Sequence, residues 1–193
     1  MLNQKQGKIL VQLARQEIEQ HLHMDASNPV SEADLNDPIF SIKHGVFVTL
    51  HKREALRGCI GSLQGFEPLC DAVRRHAINA AFHDHRFEPV SPAEVPLLHI
   101  EVSILSPPQK LDYSSGQELP SLLTPQEDGV IIRSATGLSA TFLPQVWKQL
   151  PQPELFLGHL CRKAGLAEHA WLHDQLEVET YRVQYFEESR HTG

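Results

Sequence analysis

The chain has 193 residues, 41% of them hydrophobic, which suits one domain with a core of its own and excludes a large multidomain machine or wholesale disorder. Its 17 Lys and Arg against 24 Asp and Glu leave a formal charge of −7, so no global basic field attracts phosphate backbones and no nucleic-acid partner is expected. Cys59, Cys70 and Cys161 are odd in number with no C-x-x-C spacing, and no signal core or long apolar run is present; a reducing cytoplasm is expected, with no disulfide framework, cysteine zinc knuckle or membrane span.

From Ile9 to Leu22 the residues Leu10, Leu13, Ala14, Ile18 and Leu22 recur at helical spacing, predicting a docked amphipathic helix. Asn28-Pro29 and Asp37-Pro38 then mark a loop, because a residue preceding proline is pushed out of the helical region. Val46, Val48 and Leu50 alternate as a strand, and Leu56 to Leu63 reads as a second, joined by the hairpin-length Lys52-Arg53-Glu54-Ala55. Pro68 opens a helix whose stripe is Leu69, Ala72, Val73, His76, Ala77 and Ala80, ending near His83. Leu98, Ile100, Val102 and Ile104 predict a third strand, which Pro107-Pro108 stops.

Residues 106 to 128 are rich in Pro, Ser, Gln and Asp, after which Gly129 to Arg133 and Leu138 to Phe142 read as paired strands in a small lobe at about 106–150. Pro144 opens a helical turn, and Leu155, Phe156, Leu160 and Ala164 form a helix closed by Gly165. A last strand is expected from about Glu177 to Glu187, leaving 188–193 as a tail. Hairpin-length connections beside helical ones predict an α+β fold, with a mixed, largely antiparallel sheet flanked by helices.

The densest chemical signal is Leu56-Arg57-Gly58-Cys59-Ile60-Gly61. Two glycines in a strand give up side-chain packing, and they mark a bulge or a place where a ligand or another backbone comes close. On strict alternation Arg57 shares a face with Cys59 and Gly61, where its charge would lower the thiol pKa and favour nucleophilic chemistry. The competing reading is a small buried thiol in a glycine-softened strand, since free cysteine is among the most buried residue types.

This run resembles the signature of the AMMECR-type domain, also called the AmmeMemoRadiSam system protein A family. Pro68-Leu69, Asp84-His85-Arg86-Phe87, Glu101-Val102-Ser103, Leu143-Pro144-Gln145-Val146 and Lys163-Ala164-Gly165-Leu166 resemble it too, in the same order. The similarity extends over about 7–187, as one domain. It implies a larger and a smaller lobe, and a modification pathway shared with Memo-like and radical S-adenosylmethionine proteins, but no settled reaction. His85 stands where the family pattern more often has proline.

A nucleophilic Cys59 needs a base, and the candidates are His51, one hairpin away, and His83 and His85, which follow the second helix. Asp84 is a candidate to orient one of them, although an acidic loop residue is more often simply solvated. Arg57 and Arg86, with Gly58 and Gly61, are candidates to grip a ligand anion. His21/His23 and His159/Cys161 are poor chelates because helical residues two apart diverge, and His83/His85 lacks a third ligand, so no metal or cofactor is expected. Two functions remain open: a ligand- or modified-peptide-binding protein using the Leu56–Gly61 strand, with or without Cys59 thiolate chemistry, and a non-catalytic adaptor for a partner protein.

Overall fold

In a computed structural model, which describes residues 2–189, the chain divides into two compact units, Met1–Leu105 with Gln184–Gly193, and Ser106–Val183. The first unit begins with α1 (Gln4–His21), five residues earlier than apolar spacing alone predicts. Its start is set by a reciprocal cap: the Gln6 N–H donates to the Asn3 side chain at 2.9 Å and the Asn3 N–H to the Gln6 side chain at 2.8 Å. β1 (Gly45–Lys52) and β2 (Ala55–Ser62) follow as an antiparallel hairpin, with Arg53 and Glu54 in the left-handed region at φ 50° and 67°. That turn matches the twist of the strands, although neither residue is the glycine or asparagine that adopts it at least cost. α2 (Leu69–Phe82) then crosses the sheet, and β3 (Leu98–Leu105) pairs antiparallel with β1.

Alternation sorts the sheet into two faces. Val46, Val48 and Leu50 of β1 and Ile100, Val102 and Ile104 of β3 are buried in one cluster with the stripes of α1 and α2. Each such side chain contributes roughly 1.5–3 kcal/mol relative to exposure. Phe47, Thr49 and His51, with His99, Glu101 and Ser103, point to the opposite face, and both helices lie on the first.

The second unit holds β4 (Gln109–Lys110), α3 (Leu119–Leu122), β5 (Gly129–Arg133), β6 (Ser139–Phe142), α4 (Pro153–Lys163), α5 (Ala170–His173) and β7 (Glu177–Tyr181), its strands in the order β4-β7-β5-β6. It runs on past residue 150 because Phe156, Leu157, Leu160 and Val178 share a buried cluster with Val130, Ile132 and Trp147. Gly165, at φ 81°, follows the α4 C-cap Ala164, as its position after the apolar stripe predicts.

The chain then returns to the first sheet as β8 (Val183–Glu187), giving the order β2-β1-β3-β8. The single last strand read from alternation is therefore two strands in two sheets. The break is at Arg182, whose N–H donates to the Ser106 hydroxyl and whose carbonyl accepts from the Ser106 N–H. Of the expected tail, Glu188 is held by Arg15 at 2.8 Å, and 190–193 lie outside the described residues. The fold is α+β and antiparallel in its pairing as expected, with the strands divided between two four-stranded sheets. Among the described residues no helix is long and apolar enough to cross a membrane.

Gly58 fixes how closely α2 approaches. A Cβ there would lie far inside contact distance of the Ala80 carbonyl oxygen, a backbone atom that cannot swing aside. The Gly58→Ala variant is expected to lose about 1–3 kcal/mol of stability, read as a lower urea midpoint at unchanged slope.

Candidate functional site

Cys59 pairs with Thr49 across the β1–β2 ladder, with Leu50 opposite Gly58 and His51 opposite Leu56, so Arg57 is the extra residue of a bulge. Strict alternation does not carry through such a point. Arg57 turns not to the thiol but to Glu94, donating from Nε at 3.1 Å and Nη2 at 3.2 Å, while Lys52 reaches the same carboxylate at 2.8 Å. These donors, Arg57 first, hold the Glu94 carboxyl well below the usual range.

β2 is an edge strand, and the main chain of Cys59 faces outward from it. Its N–H donates to Asp84 Oδ2 at 2.9 Å and its carbonyl accepts from Arg86 Nη2 at 3.2 Å. Asp84 in turn accepts from Arg86 Nε at 2.9 Å, Nη2 at 2.7 Å and the Arg86 N–H at 3.2 Å. The carboxylate is buried, at 6% exposure, and these hydrogen bonds, above all those from Arg86, hold its pKa far below the ordinary value. Asp84 thus clips the loop after α2 to the sheet edge and orients no histidine. Arg86 spends one side of its guanidinium on this clip and lies 5.5 Å from the Phe87 ring centre, with Arg57 at 5.9 Å.

The thiol itself points to the face opposite α1 and α2, half-buried, with Thr49 Oγ1 at 3.2 Å. Burial pushes its pKa up, outweighing the lowering by the Thr49 hydrogen bond and by Arg86. His51 shares that face, two residues along β1 from Thr49 and opposite His99. His83 and His85 are exposed on either side of the buried Asp84, and the hydrogen bond recorded for the Cys59 thiol runs to Thr49.

The two glycines open no space for a ligand. At Gly58 the room is taken by the Ala80 carbonyl, and at Gly61 by the Val46 carbonyl and the Phe47 ring. Their residue type is explained by the protein's own packing, which corrects the expectation that a guest accounts for it. Two neighbours escaped sequence reasoning: Thr49, which strand pairing sets beside the thiol, and Glu101, opposite Thr49 on β3.

Among the described residues no group of three His, Cys, Asp or Glu side chains is arranged to hold a metal. His21 stacks on Phe82 and Cys161 is buried in the second unit's core. That unit has a groove of about 800 Å³, bordered by Lys110, Asp112, Arg133, Asp174 and Glu177. Its mixed charges select no ligand class, and the Tyr113 hydroxyl on its wall is bound to the Leu176 main chain.

Because folding depresses the Asp84 pKa, the stability it confers is complete above the unfolded value of about 3.9 and is lost as pH falls through the folded one. Asp84→Asn should cost about 1–3 kcal/mol at pH 7. Its urea midpoint should also fall less steeply than the wild type's between about pH 5 and pH 2.

The comparisons agree with this architecture. Residues 11–186 match the AMMECR1 family model. A protein of Methanothermobacter thermautotrophicus is 40% identical over 190 residues, covering 97% of this chain and 96% of that protein. One from Thermofilum pendens is 37% identical over 209 residues, with 100% of this chain and 94% of the relative covered. The crystal structure of an uncharacterized protein from Pyrococcus horikoshii superposes with a TM-score of 0.83 at 35% identity, covering 100% of this chain and 96% of that one. With nearly its whole length matched by the family model, the chain belongs to the AMMECR1 family.

Proposed function

We propose that this protein is a binding module whose sheet face around Cys59, opposite α1 and α2, receives a ligand or a modified peptide, with the thiol as a protonated contact group and not a nucleophile. The observation that carries this is the surroundings of Cys59. Its thiol is half-buried beside the Thr49 hydroxyl and its pKa is raised, so the thiolate that a nucleophile requires is scarce at neutral pH. Among the described residues the hydrogen bond of the thiol runs to Thr49 and none joins it to the three histidines expected as bases: His83 and His85 are exposed beside the clip, and His51 stands diagonally across from Cys59, two residues along β1 from Thr49.

Arg86 remains a second contact. Its side chain is 56% exposed, so although one side of the guanidinium is committed to Asp84 the rest can meet a ligand at the outer edge of β2, beside Cys59. A place beside Memo-like and radical S-adenosylmethionine proteins is part of the same proposal and rests on the family resemblance alone.

Labelling separates the two chemistries. With iodoacetamide at pH 7, followed by mass spectrometry of the peptide holding Cys59, the wild type should react more slowly than a free model thiol. The rate should rise about tenfold per pH unit through the alkaline range and level off at a higher pH than the model thiol's does. Labelling faster than the model thiol at pH 7 would restore the thiolate reading and remove this one.

A further inference from the structure

We infer that the row Cys59–Thr49–Glu101 on the face of the first sheet opposite α1 and α2 binds a protonated primary amine, such as a lysine side chain or a small alkylamine. This rests on the reading of that face as a binding surface and names what it takes.

Thr49 stands opposite Cys59 on one side and opposite Glu101 on the other, so the three lie in one line across β2, β1 and β3. Cross-strand neighbours on one face have Cβ atoms roughly 5 Å apart, which puts all three within reach of a single bound group. Larger side chains border the row. On one side stands Phe47, whose ring leans over Gly61; on the other stand His51 and His99, paired across the same two strands. Two small residues, Cys59 and Thr49, thus lie between taller neighbours, and the row is a shallow trough with a carboxylate at one end.

The charges in and around the trough do not balance. At the Cys59 end Arg86 and Asp84 neutralise one another. Beyond β3, His99 is held by Glu187 at 3.0 Å. Glu101 has no such partner: Ser103 donates to its Oε1 at 3.0 Å, but among the described residues no lysine or arginine forms an ion pair with it. It is only partly exposed, and it sits on β3, inside the sheet and away from its edges. A half-desolvated carboxylate held in place by a hydroxyl, with one oxygen left over, suits a cation that arrives from outside.

The geometry favours an ammonium over other cations. Its three N–H donors can be shared between the free oxygen of Glu101 and the Thr49 hydroxyl, and its compact head fits a trough one residue wide. The Phe47 ring, and the imidazoles opposite, offer apolar walls to the carbon stem. An anion would meet Glu101 unopposed.

The test uses isotope-labelled full-length protein and Nα-acetyl-lysine methylamide as the probe, with amide shifts followed by NMR. The probe should shift the Thr49, Cys59 and Glu101 resonances. Its dissociation constant should rise at least tenfold in Glu101→Gln, a variant expected to fold normally because it removes an unpaired charge. The Nε-acetylated probe, which lacks the ammonium, should leave these resonances in place. If both probes shift the same residues equally, the amine assignment fails while the face survives as a binding surface. If Glu101→Gln binds as tightly as the wild type, Glu101 is not the recognising group and the inference falls. Silence of the face towards both probes overturns it as well, whereas the reading of Cys59 as a protonated contact stands or falls separately on its labelling rate.

Discussion

The first unit depends on how closely α2 approaches β2. Gly58 lets the Ala80 carbonyl come against the strand where any side chain would collide, and the loop that leaves α2 is then hooked to the edge of the same strand by Asp84. One contact sets the separation of helix and sheet, and the other fixes where the helix ends. Between them they leave the stripe Leu69, Ala72, Val73, Ala77 and Ala80 no freedom to slide, so the small residues on that stripe follow from the short distance.

Alternation along the strands gives the sheet under these helices two chemically different faces. The side under α1 and α2 is filled with valine, leucine and isoleucine. The other presents thiol, hydroxyl, imidazole and carboxylate groups in register. Cys59 belongs to the second side through its thiol and to the strand edge through its main chain, which is why Arg86 and Thr49 can both touch one residue without competing for the same atoms.

Much of this was legible in the sequence. Alternation located β1 and β3, the stripe located α2, and Gly165 located the end of α4. What failed did so where a local pattern meets a tertiary event. The bulge at Arg57 reverses the parity on which its pairing with Cys59 was read, and only the partner strand reveals an extra residue. The strand expected over 177–187 keeps its alternation through Arg182, since a chain that leaves one sheet for another remains extended. Glycine's residue type states that something comes close, but not whether it is a ligand or a carbonyl of the chain itself. Neither solvation nor a neighbouring histidine, the two roles local sequence offers Asp84, is the one it fills, because its donors are Arg86 and the amide of residue 59, which only the fold brings to it.

The clip at residue 59 also affects how copies of the molecule behave towards each other. An edge strand with free amide and carbonyl groups is a template on which a second chain can add a strand, the first step of edge-to-edge aggregation. At the centre of β2 both of those groups are already occupied, one by a carboxylate and the other by a guanidinium that stands out into solvent. An incoming strand would have to displace a charged pair before making its first ladder bond, so the edge is protected against self-association without a proline or a covering helix.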